Sequence, residues 1–288
     1  MKVRIKFRKY GAMKFVGHLD VLRYFQKLFR RADIDNEFTK GFSPHQIMTF
    51  AAPLGVGLTS DAEYLDIQLL SSDSPEVMLA RMNTASTEGV MMIDFHPLLE
   101  REENMRLVTA MSLVSTADYL VSLKDGFNLG EIRTQSEFMK LFTCFMNEKE
   151  IIINKKTKNS EKTVDIRPMI TLTAYERVEY ENLLKAVESD DDLTNTIEQN
   201  ISELKEQNPV DIMNKPLSVA DIYENGIRLY LQMDTGSVAN LKPELVIEAF
   251  CNYYKLPFEE FAWQVHRLEL YSRNTETGKL ISLDQLDR

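Results

Sequence analysis

The chain has 288 residues, 44% hydrophobic and 27% charged, with a formal net charge of −10. This is globular composition with length for two modest domains, and it excludes a low-complexity chain. No apolar run reaches the roughly 20 residues of a membrane helix, and the isolated Cys144 and Cys251 frame neither a disulfide scaffold nor a zinc or iron–sulfur site.

The opening MKVRIKFRKYG mixes charged and apolar residues and has no signal-peptide core, so a cytoplasmic location with no membrane partner is expected. Charge is unevenly spread. Residues 1–46 hold 11 Lys and Arg against 4 Asp and Glu, while the rest carries the acidic excess. Such asymmetry predicts a local basic face on an acidic body, able to steer anionic partners whatever the net charge.

In chain order, Val3, Ile5 and Phe7 alternate with Arg4, Lys6 and Arg8, the period of a half-buried strand with a basic outer face. From His18 to Ala32, Val21, Leu22, Phe25, Leu28, Phe29 and Ala32 form a helical apolar stripe, with Arg23, Lys27, Arg30 and Arg31 largely off it. Phe42-Ser43-Pro44 reads as a turn. Ile47 to Leu54 is extended, and Pro53 to Gly57 is a turn-rich exit. Ala62 to Leu70 alternates again. Ser74 and Pro75 start a helix to about Ser86, and Val90 to Phe95 is a strand.

A second round follows a connector. Tyr119 to Lys124 is a strand and Gln135 to Met146 a helix. Glu150 to Asn154 and Thr163 to Ile170 form a hairpin. Two short helices are expected in an acidic insertion, about 176–215, through Leu183, Leu184 and Val187 and then Leu193 to Leu204. Gly226 to Met233 is a strand, Lys242 to Tyr254 a helix and Ala262 to Tyr271 the last strand. The fold class is therefore α+β, expected as two tandem ferredoxin-like (split βαβ) domains. The first spans 1–97 and carries the basic face. A connector spans 98–116, and the second domain spans 117–288 with the helical insertion.

The stretches VRIKFRKYG, FVGHLDVLRYFQKLFRRA and KGFSPHQIMTFAAPLGVG followed by AEYLDIQL, with the weaker VDIRP and VHRLELY, carry a resemblance. The chain resembles the bacterial radical-SAM-associated (radical-SAM-linked) family of unknown function. That resemblance implies an accessory role near radical chemistry or RNA, with a radical-SAM protein as partner. In the family pattern a second proline usually follows the histidine of the central motif soon after; here Gln46 follows His45.

Radical-SAM and phosphate-loop motifs are both absent from the chain, and Gly55-Val56-Gly57 is assigned to turn geometry. The anion- or nucleic-acid-binding candidates are Arg4, Lys6, Arg8, Arg23, Lys27, Arg30, Arg31, Lys40, Phe42 and His45, cations with interleaved aromatics that suit phosphates and a stacked base. The catalytic candidates are His18 and Asp20 at a helix start, with His45 on a nearby loop, as substrate contacts or an acid–base pair. Against them stands a structural reading in which His18 caps the helix and Asp20 complements its dipole. Asp165 and Arg167 are secondary candidates, an ion pair or an anion site on one strand face. His266 and Arg267 point to opposite faces of the last strand, so they cannot serve one site together. No metal or cofactor site is expected. The functional expectation is a non-catalytic module presenting RNA or another anionic substrate to a radical-SAM enzyme. Alternatives are a stand-alone RNA-processing or RNA-modifying enzyme and a protein–protein adaptor docking through the insertion.

Overall fold

A computed structural model describes residues 1–99, 109–156, 161–189, 217–237 and 239–286. The N-terminal half runs β1 (Lys2–Lys9), α1 (His18–Arg31), β2 (Met48–Phe50), β3 (Thr59–Gln68), α2 (Pro75–Ala85) and β4 (Val90–Pro97). After the short α3 (Ala110–Leu113) come β5 (Thr116–Leu123), α4 (Gln135–Met146), β6 (Ile152–Lys156), β7 (Glu161–Asp165), β8 (Ile170–Ala174) and α5 (Arg177–Ser189). The chain then follows β9 (Arg228–Asp234), α6 (Pro243–Tyr254), β10 (Trp263–Arg273) and β11 (Leu280–Ser282).

One nine-stranded sheet passes through both halves in the order β4-β1-β3-β10-β5-β9-β8, with β2 beside β3 and β11 beside β10. It is antiparallel except where β10 meets β3, at His266–Thr59 and Arg267–Ser60. The architecture is thus a mixed α+β fold on a large, mostly antiparallel sheet, with six α-helices among the described residues.

Packing follows the apolar periodicity. Val3, Ile5 and Phe7 bury against Phe25, Leu28 and Phe29 of α1 and Met78 and Met82 of α2. Phe7 and Phe25 meet edge to face at 4.7 Å. In the other half Phe138, Phe142 and Phe145 of α4 interlock with Val246, Ile247 and Phe250 of α6 over Val121, Leu229 and Val265. These two cores share a face of the sheet. Phe7 pairs across strands with Glu63, Glu63 binds Arg267, and Arg267 pairs with Tyr119. Side chains directly opposite in neighbouring strands point the same way.

Two expectations are corrected here. The basic residues of β1 do not form an outer face, because the sheet is covered on that side too: Arg4 is fully buried, Arg8 nearly so and Lys6 half-buried. The segment Thr163 to Ile170 is not one strand. Pro168 sits in a 3-10 turn, Arg167–Met169, that ends β7 and starts β8. Among the described residues β7 pairs only with β6, in a separate two-stranded sheet, whereas β8 joins β9 in the main sheet. Of the expected insertion, α5 is described; the helix predicted through Leu193 to Leu204 lies outside the described residues, as do residues 100–108 of the connector.

Candidate anion-binding face and sheet cleft

The second sheet face holds a cleft of about 600 Å³, within the size range of small-molecule sites. Its floor is the sheet, with Leu120, Leu268 and Tyr230; α5 supplies one wall through Tyr180 and Leu184, and residues 217–223 supply another. The alternation of β1 brings Lys6 and Arg8 into the lining.

Every cation there meets a carboxylate or a carbonyl. Lys6 Nζ donates to Glu269 Oε2 at 2.6 Å and to Asp284 Oδ2 at 2.9 Å. Arg8 Nη1 donates to the Leu217 carbonyl at 3.0 Å, with Nε 3.8 Å from Asp61 Oδ1. Arg177 pairs with Glu181 and Arg228 with Glu176. The lining holds four cationic side chains, Lys6, Arg8, Arg177 and Arg228, against four carboxylates, Asp61, Glu181, Asp221 and Glu269. A charge-balanced cleft with an apolar floor gives no net field to draw a polyanion.

Two buried polar clusters underlie the cleft. His266 donates or accepts at both ring nitrogens: Nδ1 lies 2.8 Å from Thr59 Oγ1, and Nε2 lies 3.1 Å from Asp61 Oδ2 and 3.4 Å from Ser218 Oγ. Burial alone would raise Asp61, but the His266 contact, the Ser218 hydroxyl and the Val219 amide outweigh it and hold the carboxyl below its usual range. Next to it, Asp118 is buried. Its Oδ2 accepts from the hydroxyls of Tyr180 on α5 and Tyr271 on β10. Burial pushes Asp118 up to about 7, against the lowering effect of those hydroxyls and of Gln232 on β9; Glu269 on β10 adds to the rise.

α1 shows a different electrostatic picture. Arg23, Lys27, Arg30 and Arg31 are exposed. Residues 23, 27 and 30 follow i, i+4, i+7 spacing, so they line one stripe of the helix, about 10 Å long. Arg23 pairs with Asp20 at 2.9 Å, and Arg31 donates to the Ala85 carbonyl and lies over the Tyr24 ring. The side chains of Lys27 and Arg30 have no ion-pair partner among the described residues. Because α1 packs on the Val3–Ile5–Phe7 side, this stripe and the cleft-facing Lys6 and Arg8 lie on opposite sides of the sheet. The single basic face expected from the sequence is therefore split in two.

The remaining candidates scatter. Arg4 is locked by Asp66 at 2.8 Å and by the Leu283 carbonyl at 2.8 Å. Lys40 and His45 are exposed on the loop after α1, with His45 Nδ1 3.1 Å from Thr39 Oγ1, and Phe42 is fully exposed. His18 makes no side-chain cap; Gly17 is the N-cap, and the His18 ring meets Phe50 edge-on at 5.2 Å. Burial, and then the neighbouring Lys9 ammonium, lower the His18 pKa. Asp20 is at the surface with Arg23. Among the described residues no group of three or more His, Cys, Asp or Glu side chains could hold a metal ion. Asp165 and Arg167 form no pair with each other's charged groups. Asp165 Oδ1 accepts from the Ile151 and Arg167 amides at 2.8 and 3.0 Å, and Arg167 Nε donates to the Met146 carbonyl at 2.8 Å.

Sequence reasoning missed Asp61, Asp118 and the Tyr180–Tyr271 pair. It placed His266 opposite Arg267 correctly, since Arg267 binds Glu63 on the other face, but gave His266 no partner. The strand alternation of AEYLDIQLL and VHRLELY identifies which residues leave the core face, and no local signal joins strands more than 200 residues apart.

The fold and these surfaces define a mixed α+β protein with a basic helix face and a neutral cleft. A family described as "uncharacterized protein conserved in bacteria" (DUF2344) matches residues 2–213, and the chain belongs to that family. Comparison with curated proteins gives no match. Among the described residues no helix is long and apolar enough to cross a membrane.

Proposed function

We propose that this chain is a non-catalytic accessory module of the bacterial cytoplasm that holds an anionic substrate, RNA in the first instance, beside a radical-SAM enzyme. The observation that carries the RNA half is the exposed stripe of Arg23, Lys27 and Arg30, joined by Arg31, with Lys27 and Arg30 free of carboxylate partners among the described residues. Such cations release counterions when they meet phosphates. The charge-balanced cleft is not assigned to the RNA backbone. The radical-SAM half rests on the sequence resemblance. Two cysteines cannot hold a cluster, so the radical chemistry belongs to the partner.

We also read the two halves as tandem ferredoxin-like units. The strand orders β4-β1-β3-β2 and β10-β5-β9-β8 support this, since each half runs strand, helix, two strands, helix, strand; the β6–β7 hairpin and α5 are then additions to the second unit.

The test is fluorescence anisotropy with a labelled single-stranded RNA, comparing the wild type with Arg23→Gln/Lys27→Gln/Arg30→Gln/Arg31→Gln. Loss of affinity by at least about tenfold is expected from removing several phosphate contacts. Equal affinity removes the RNA reading. Failure of the tagged chain to co-elute with a radical-SAM protein of the same bacterium removes the partner reading.

A further inference from the structure

At one end of the sheet five large apolar side chains stand in solvent. Phe15, Leu19, Val56, Ile222 and Phe261 are 61% to 94% exposed. They come from four separate segments gathered round Lys14. Lys14 lies over the Phe15 ring at 5.6 Å, and its carbonyl accepts from the Gly57 amide at 2.7 Å. Val56 lies against Gly17 at the start of α1. Lys14 Nζ binds Asp221 at 3.0 Å, next to Ile222, and Lys124 Nζ donates to the Phe261 carbonyl at 2.8 Å.

Scattered exposed apolar residues need no explanation, but a cluster rimmed by charge marks a surface that another molecule covers. The rim sets the sign. Asp125, Glu224, Glu259 and Glu260 are exposed and take part in no ion pair among the described residues. Of the two rim ammonium groups, Lys14 is already matched by Asp221. With Asp20 and Arg23, which pair with each other beside Leu19, six carboxylates face three cations, an acidic rim round an apolar centre.

We infer that this patch docks an amphipathic segment of another protein whose apolar face is flanked by lysines and arginines. Apolar burial supplies the affinity, and the acidic rim rejects acidic segments. Through Leu19, one turn before Arg23, the patch adjoins the start of the basic stripe of α1, where Arg23 is matched by Asp20 at 2.9 Å; the inference does not depend on the RNA reading.

The full chain is titrated, by fluorescence anisotropy, into a labelled amphipathic helix of leucine and lysine, about 14 residues or four turns long. The same helix with glutamate in place of lysine is the control. Tighter binding of the lysine helix is expected, with a loss of at least about tenfold in Phe15→Ser/Phe261→Ser. Glu259→Lys/Glu260→Lys is expected to reverse the preference toward the glutamate helix. If the apolar variant fails to fold by near-ultraviolet circular dichroism, the charge reversal decides alone. Binding unchanged by the substitutions, or absent in the wild type, overturns the inference. So does self-association in sedimentation velocity that the apolar variant abolishes, because the occupant is then a second copy of the chain.

Discussion

Arg4 and Asp66 form a two-point ion pair in the interior of the sheet. Nε and Nη2 of the arginine donate to Oδ1 and Oδ2 at 2.8 and 3.2 Å, and neither side chain is more than 2% exposed. The Ala110 amide also donates to Asp66, so the pair locks the entry to β5 as well as the β1–β3 ladder. Breaking a buried pair by removing one partner leaves an unmatched charge and costs about 3–5 kcal/mol. Asp66→Ala is therefore expected to lower the urea midpoint sharply, and Arg4→Ala to act on stability rather than on RNA affinity alone. A surface-like effect on stability for either would contradict the burial.

Lys6 to Glu269 and Asp284, Arg4 to the Leu283 carbonyl, and the β3–β10 pairing all tie the first half to the last strands. A fragment of residues 1–97 is accordingly expected not to fold alone, lacking both carboxylate partners of Lys6, the Leu283 carbonyl on Arg4 and the strand beside β3. Dispersed amide resonances from that fragment would show the halves to be independent.

Asp118 gives a pH dependence with a defined sign. Its carboxyl is raised from 3.8 to about 7 in the folded protein, so the folded state holds this proton more tightly than the unfolded chain. The contribution is fully present below the unfolded pKa, declines as pH rises, and is lost once pH passes the folded value. A rise of that size is equivalent to about 4 kcal/mol. Chemical denaturation at pH 5 and pH 8 is expected to find Asp118→Asn less sensitive to the change than the wild type, and the more stable of the two at pH 8. Parallel wild-type and variant curves would refute the assignment.

Asp61 holds down the segment over the cleft. Its Oδ1 accepts from the Val219 amide at 2.9 Å, and Arg8 holds the Leu217 carbonyl. Asp61→Ala is expected to speed hydrogen exchange across residues 217–223 while leaving α1 unchanged. Protection unaltered at Val219 would mean that the segment is held by its other contacts.

Much of the fold was legible in the sequence, because the signals are local. The stripe of Val21, Phe25, Leu28 and Phe29 and the alternation of Val3, Ile5 and Phe7 each reflect one buried face. The break at Pro168 was missed in the strand expected from Thr163 to Ile170, although proline donates no amide to a ladder. What the sequence could not convey is the second covered face. Charges alternating with apolar residues in β1 look like a solvated edge, and only Asp66, Glu269 and Asp284, up to 278 residues away, make them interior. The basic stripe of α1 was visible for the opposite reason: helical spacing alone puts Arg23, Lys27 and Arg30 together and off the core. The His266–Asp61 contact needs β10 laid parallel to β3, which no local pattern encodes.

The most direct test of the central claim is the salt dependence of RNA affinity. Four cations on α1 contacting phosphates are expected to give a slope of log affinity against log salt of about −3 for a single strand. In the variant with all four replaced by glutamine, most of that slope should vanish. A slope the same in both proteins, or near zero in the wild type, would contradict the account and leave α1 a solvated face.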